Sequence, residues 1–191
     1  DKYSQFKMVI AVGVVMGLHA AYEIFIGGTE ISWDVIVTYL PVSLLYIVSM
    51  TLGYVGLRYI ELSISSPICN SSGALVAVLT LITSGIGGLA VGQLAATVLV
   101  CIGVIGLGIV EAHEDDELRA ARQQAANRRY AKSALAIILP VLYCVLDALG
   151  TFADSRVLET LDEDSANCAY ELTFLAAAVI CFIYVVIIKR Q

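Results

Sequence analysis

Long apolar stretches restrict this chain to a fold that lies in a membrane. Each stretch is long enough to cross a hydrocarbon core of about 30 Å, which takes about 20 helical residues. None shows the ~10-residue alternation of apolar and polar residues that is typical of strands in a membrane β-barrel. We therefore predict an all-α integral membrane protein with about six transmembrane helices, over residues 7–27, 34–57, 65–84, 89–110, 132–151 and 168–188.

Composition excludes a water-soluble domain. Hydrophobic residues make up 59% of the 191 positions and charged residues 15%, whereas soluble domains have roughly 45–50% and 25%. The net charge of −6 comes from two acidic loops, and no basic stripe with interleaved aromatic residues suggests nucleic-acid binding. The partner that composition indicates is the lipid bilayer, and we expect a multi-pass protein of the plasma membrane.

The five cysteines and two histidines do not predict a metal or redox centre. The cysteines show neither CxxC nor Cys/His spacing, so we expect small packing residues, no metal ligands and no cofactor. The chain also has no Gly-x-Ser-x-Gly, His-Glu-x-x-His or phosphate-binding Gly-x-x-x-x-Gly-Lys motif. An enzyme is therefore not expected.

Short connections separate most of the predicted spans, and one long polar segment divides the chain. We predict four spans in residues 1–110, a polar connection over 111–131 and two spans in 132–191. The chain starts at Asp1 without a signal peptide, from which we expect it to be part of a longer protein. Ten of its eleven basic residues fall on one side of this topology, so the positive-inside rule puts both ends in the cytoplasm.

Small residues and prolines mark places where helices pack or bend. Gly13 and Gly17 share one helical face, as do Gly88 and Gly92, so each pair allows another backbone to approach closely. We favour packing within the chain over a homodimer contact, which stays possible on this pattern. Pro41 and Pro140 lie inside predicted spans, and such interrupted helices often line cavities in transporters.

Ionisable residues inside the predicted spans are the first candidates for a binding site. Placing such a side chain in lipid costs free energy, so its presence in a span suggests a function. His19 and Glu23 lie four residues apart on one helical face and could relay protons or hold a polar substrate. Tyr143 and Asp147 have the same spacing in the fifth span, and Glu171 opens the sixth. The alternative for each carboxylate is an interfacial position near headgroup water.

A neutral polar cluster forms the second kind of candidate. Asn70, Ser71 and Ser72 lie in the third predicted span, where amides and hydroxyls can bind polar substrate groups. Serines in membrane helices also bond to their own backbone or allow tight packing, so this cluster has two interpretations.

Two stretches resemble a known transporter family. GYVGLRYIELS over 53–63, followed by SSPICNSSGAL over 65–75, resembles the EamA-like permeases of the drug/metabolite transporter superfamily, and ALGTF over 148–152, running on to Val157 and Leu158, resembles the first helix of their second repeat. The resemblance covers about 33–188 and implies ten helices in two inverted five-helix repeats, of which this chain would hold helices two to seven. It also implies a central cavity faced by Asn70, Ser71, Ser72, Tyr143 and Asp147.

These observations give two functional hypotheses. The first is a permease that moves a small metabolite or drug-like molecule by alternating access, with His19, Glu23, Asn70, Ser71, Ser72, Tyr143 and Asp147 as substrate-binding residues. The second is a non-transporting membrane subunit that binds a ligand or a partner protein, with the segment 111–132 as its docking element.

Overall fold

The structure, a computed structural model of the chain, describes residues 3–57, 65, 68–85, 90–112, 117 and 134–190. Helices account for almost all of this part of the chain, and no strand occurs in it. They are α1 (Ser4–Tyr22), α2 (Trp33–Gly56), α3 (Ser72–Ser84), α4 (Val91–Ala112), α5 (Ala134–Val157) and α6 (Glu163–Phe182). The prediction of an all-α protein is confirmed.

Four helices are long and apolar enough to cross a membrane. They cover Ser4–Gly27, Trp33–Gly56, Ile138–Val157 and Glu163–Ile188, which correspond to the first, second, fifth and sixth predicted spans. At the third and fourth, the apolar stretches found among the described residues are shorter: Ser72–Ser84 for α3 and Val91–Gly103 within α4. Six crossings and the ten-helix repeat architecture therefore stay predictions.

The described chain divides into two compact units. The first contains residues 1–51 and 149–191, and the second contains residues 52–148. The predicted division at the polar segment 111–131 falls on residues that, apart from 111–112 and 117, lie outside the described ones. The same holds for the docking segment 111–132 and for Gly88.

In the first unit, α1 and α6 pack against each other in antiparallel directions. Gly13 lies against Phe174 and Ala178, and a Cβ atom added to it would be 2.5 Å from the Ala178 Cβ and 2.7 Å from the Phe174 carbonyl oxygen. Gly17 approaches the side chain of Leu175 in the same way. The predicted Gly13/Gly17 seam is therefore a contact within the chain, and it requires glycine because the two backbones lie so close.

Where α1 ends, the backbone widens into a π-helical turn over Glu23–Gly27. The Glu23 carbonyl accepts hydrogen bonds from the backbone N–H groups of Gly28 and Thr29. Gly28 has φ of +78°, a left-handed conformation that glycine adopts without steric cost. The Gly-Gly pair thus stops the helix and turns the chain toward α2.

The core of the first unit lies between α2 and α6. Tyr39 and Val42 of α2 are buried against Ala166 and Ala169 of α6. The small alanine side chains let α6 approach, and side chains from the end of α5 pack around this cluster. The Asp162 side chain caps the start of α6 by accepting a hydrogen bond from the Ser165 N–H at 3.1 Å.

In the second unit, the last turns of α2 pack on the first half of α5. Gly53 lies under the ring of Tyr143, and Gly56 faces Leu139 and Pro140. Pro140 is fully buried, although it lies inside a helix and provides no N–H group. α3 and α4 lie against each other in the same unit.

Candidate functional site

An imidazole placed between two carboxylates is the most distinctive polar arrangement in the first unit. His19 Nδ1 lies 2.9 Å from Glu171 Oε1 and 3.0 Å from Glu171 Oε2. On the other side of the ring, His19 Nε2 lies 3.7 Å from Glu23 Oε1. We refer to His19, Glu23 and Glu171 as the His–Glu triad. Because both short contacts are to carboxylate oxygens, Nδ1 carries a hydrogen and donates it to Glu171.

The glycine seam positions this triad. His19 follows Gly17 by two residues on α1, and Glu171 precedes Leu175 by one turn on α6. Since Gly17 packs directly on Leu175, the two helices are near enough for the His19 ring to reach the Glu171 carboxylate. Glu23 joins the pair because residues four apart on a helix share a face.

Gly27 gives the Glu23 side chain the room it occupies. A Cβ atom added at Gly27 would lie 2.5 Å from Glu23 Oε2. The glycine at the end of the π-helical turn therefore leaves space for a carboxylate that bends over the end of α1. Any larger residue at this position would push the Glu23 carboxylate away from its present location.

The side chains of the triad are partly exposed. The side chain of His19 is 59% exposed, that of Glu23 34% and that of Glu171 15%. A carboxylate and an imidazole so arranged can bind hydrogen-bond donors or a positive charge, and can pass a proton between them. In the part of the chain that the structure describes, no three His, Cys, Asp or Glu side chains are arranged to hold a metal ion.

The second unit brings together the other group of predicted residues. Ser71 Oγ lies 3.2 Å from the Cys144 sulfur on α5 and also donates a hydrogen bond to the Ile68 carbonyl at 2.6 Å. Cys144 follows Tyr143 and precedes Asp147 by three residues. Ser71 thus connects the start of α3 to the polar part of α5.

Asp147 is close to several weakly polar groups of this cluster. Its carboxylate lies within electrostatic range of Tyr143, Cys144 and Cys69. Among the described residues it forms neither an ion pair nor a hydrogen bond. Asn70 is exposed, and Ser72 is the first residue of α3.

The seven predicted residues thus form two groups, one in each unit. His19 and Glu23 are together as predicted, and Ser71 lies beside the helix that carries Tyr143 and Asp147. Glu171 is not among the seven, and its only sequence signal is an ionisable position next to Tyr170 in the sixth span. Its pairing with His19, 152 residues away, follows from helix packing that spacing alone does not reveal.

Comparison with family models, with curated proteins and with solved structures finds no match for this chain. The two polar groups and the four candidate spans are therefore the features of the molecule that bear on its function.

Proposed function

We propose that this protein is a multi-pass membrane permease that moves a small metabolite or drug-like molecule by alternating access. The observation that supports this function best is the hydrogen bond between His19 and Glu171, which joins two helices able to cross a membrane. An ionisable side chain within a span is costly, and such residues typically face a bundle interior or a water-filled path. The exposed side of the His–Glu triad fits such a path.

The polar group of the second unit supports the same proposal. Asp147 lies in a candidate span without an ion-pair partner among the described residues, beside the Ser71–Cys144 contact. Carboxylates within membrane helices commonly mark substrate or ion pathways. Pro140, which interrupts the backbone hydrogen bonding of α5, precedes this carboxylate by two turns, and interrupted helices commonly carry transporter binding sites.

Membership of the drug/metabolite transporter superfamily belongs to this proposal. It rests on the sequence stretches 53–75 and 148–158, together with the order of the apolar helices. The ten-helix inverted repeat and the plasma membrane location are parts of the same proposal.

Flux through reconstituted vesicles tests the proposal. We expect the full chain to accumulate at least one compound of a broad metabolite panel, with and without an imposed proton gradient. Glu171→Gln should abolish this uptake, because it removes the charge that holds His19. Glu30→Gln is the matched control, since it removes an exposed carboxylate outside the candidate spans. No uptake across the panel would contradict the permease, and full uptake by Glu171→Gln would contradict the role of the His–Glu triad in it.

Ligand-induced stabilisation tests whether the polar residues of the second unit contribute to binding. A compound that binds the folded protein raises its melting temperature by mass action. Once a transported compound is found, it should stabilise the wild type and not Asp147→Asn. Equal stabilisation of both would exclude Asp147 from the binding site.

A further inference from the structure

The His–Glu triad carries an unbalanced negative charge. It contains two carboxylates and one imidazole, so even with a protonated His19 its net charge is −1. Glu171 receives the Nδ1 hydrogen bond, while Glu23 lies beyond hydrogen-bond distance from Nε2, at 3.7 Å. Glu23 is therefore the carboxylate with the weaker compensation.

No basic side chain other than His19, among the described residues, compensates the negative charge of the triad. His19 is the sole basic partner of the two carboxylates within the described residues. Lys7 lies three turns away along α1, and Arg156 forms its ion pair with another carboxylate at 3.0 Å. Lys189 lies over an aromatic ring beyond the far end of α6, and Arg190 is the next residue.

Hydrogen bonding at Glu23 is also incomplete. Its backbone carbonyl is fully used by Gly28 and Thr29. Its Oε2 atom, which lies over Gly27, accepts no hydrogen bond from any described residue. A carboxylate in a span that lacks both a full counter-charge and a donor is suited to a ligand that supplies both.

We propose that the His–Glu triad binds the ammonium group of an amine substrate. A primary ammonium group carries one positive charge, which cancels the excess, and N–H donors that the Glu23 carboxylate oxygens can accept. Glu23 supplies the contact, while Glu171 on the other side of the ring holds His19 in place. This inference rests on the proposed transport function, because it names the substrate class of that permease.

The test is equilibrium binding of n-butylammonium to the purified full chain, with n-butanol as the neutral probe of the same size. We expect saturable binding of the amine and none of the alcohol. Glu23→Gln should weaken amine binding by about tenfold or more, since hydrogen bonds to a charged group contribute more than neutral ones. Glu23→Asp should retain part of the affinity, and Glu30→Gln should bind as the wild type does.

Equal binding of the alcohol, or unchanged amine affinity in Glu23→Gln, would overturn the assignment. Circular dichroism and size-exclusion profiles of each variant show that a loss of binding is not a loss of fold. The measurement needs no flux, so it separates the two proposals. Amine binding without uptake of any compound would refute the permease, whereas uptake of neutral or anionic compounds without amine binding would refute the ammonium site.

Discussion

The contact between Tyr39 and Asp154 shows how a charged group is accommodated near the core of the first unit. The Tyr39 hydroxyl donates to Asp154 Oδ1 at 2.5 Å, the distance of a charge-assisted O–H···O bond. Tyr39 is only 3% exposed, so water does not replace this donor easily. We expect Tyr39→Phe to lower the free energy of unfolding by about 1.5–3 kcal/mol, measured by denaturant titration in detergent.

A neutral contact on the same helices provides the comparison. The Tyr46 hydroxyl donates to Thr151 Oγ1 at 3.2 Å, which is longer and involves no charge. Tyr46→Phe should therefore cost less, about 0.5–1.5 kcal/mol. If both substitutions cost the same, the charge on Asp154 does not strengthen the Tyr39 bond.

Asp162 gives a prediction for pH dependence. Hydrogen bonds from the Ser165 backbone N–H and hydroxyl lower the pKa of its carboxyl group below the usual value. Because the folded-state pKa is depressed, the charged cap stabilises the protein fully above the unfolded pKa of about 3.9. This contribution declines below that pH and is lost as the pH falls through the folded pKa.

The corresponding experiment compares thermal melts of the wild type and Asp162→Ala between pH 7 and pH 2.5. At neutral pH we expect the variant to melt lower by roughly 2–4 °C, the shift typical of a lost cap in a chain of this size. The difference should shrink below about pH 4. Glu163→Gln removes a charge from the same helical turn but leaves the cap, and should show a smaller and flatter difference.

At the scale of the helices, the seam between α1 and α6 determines how closely they pack. At Gly13 even one methyl group would overlap the Ala178 side chain and the Phe174 backbone. Gly13→Ala should therefore separate the helices and destabilise the protein by about 1–3 kcal/mol, the usual cost of overpacking. Denaturant titration measures this loss. The wider helix spacing should also weaken the ion pair between His19 and Glu171.

Gly92 on α4 is the matched control, because the structure describes no atom within 4 Å of a Cβ added there. Gly92→Ala should leave the melting temperature unchanged or raise it, since alanine favours helix. A destabilisation equal to that of Gly13→Ala would show that the effect comes from losing glycine and not from steric overlap.

How far the sequence predicts these helices depends on what determines each boundary. Gly27 and Gly28 end the first helix where predicted, because a local turn signal decides it. The last helix begins at Glu163, five residues before the predicted 168, because the Asp162 cap extends it through polar residues. The length of an apolar stretch predicts which part of a helix crosses lipid. It does not predict the polar turns by which the helix extends beyond the lipid.

The candidate site is predictable from the sequence to the extent that it is local. The four-residue spacing of His19 and Glu23 is enough to place both side chains on one helical face. The partner of His19 depends instead on the register between α1 and α6, which Gly13 and Gly17 determine through contacts with residues more than 150 positions away. Sequence spacing contains no information about that register.

At the scale of the first unit, charge and aromatic residues distinguish its two ends. At one end Tyr3 and Phe6 of α1 pack on Tyr184, with ring centroids 6.2 Å and 5.5 Å from it, and Lys189 lies over the Tyr184 ring at 5.4 Å. Aromatic and basic residues grouped in this way are typical of a membrane interface on the cytoplasmic side.

The opposite end of the unit is acidic. Its one described base, Arg156, pairs with Glu159 and lies over the Phe152 ring. The antiparallel packing of α1 and α6 thus supports the orientation that the basic residues predict, with this end outside. The acidic residues before or at the start of α2 and α6 are Glu30, Asp34, Asp162, Glu163 and Asp164.

Labelling of single cysteines tests this orientation. In a variant whose five native cysteines are replaced, we expect Glu163→Cys to react with a membrane-impermeant maleimide in intact cells. Lys189→Cys should react only after permeabilisation, because the positive-inside rule keeps it in the cytoplasm. The reverse pattern would contradict the orientation, and labelling of both in intact cells would contradict a crossing by α6.

The predicted orientation also implies from which side of the membrane the His–Glu triad is reached. Glu171 lies eight residues into α6 from Glu163, which is about 12 Å along the helix at 1.5 Å per residue. The triad is therefore nearer the acidic end than the aromatic one.

Tyr22, which is exposed and adjoins Glu23, offers a labelling position that leaves all three triad residues in place. With the acidic end outside, external n-butylammonium should slow the reaction of Tyr22→Cys with the impermeant maleimide in intact cells. Protection only by amine loaded inside the cell would instead place the open side of the triad toward the cytoplasm.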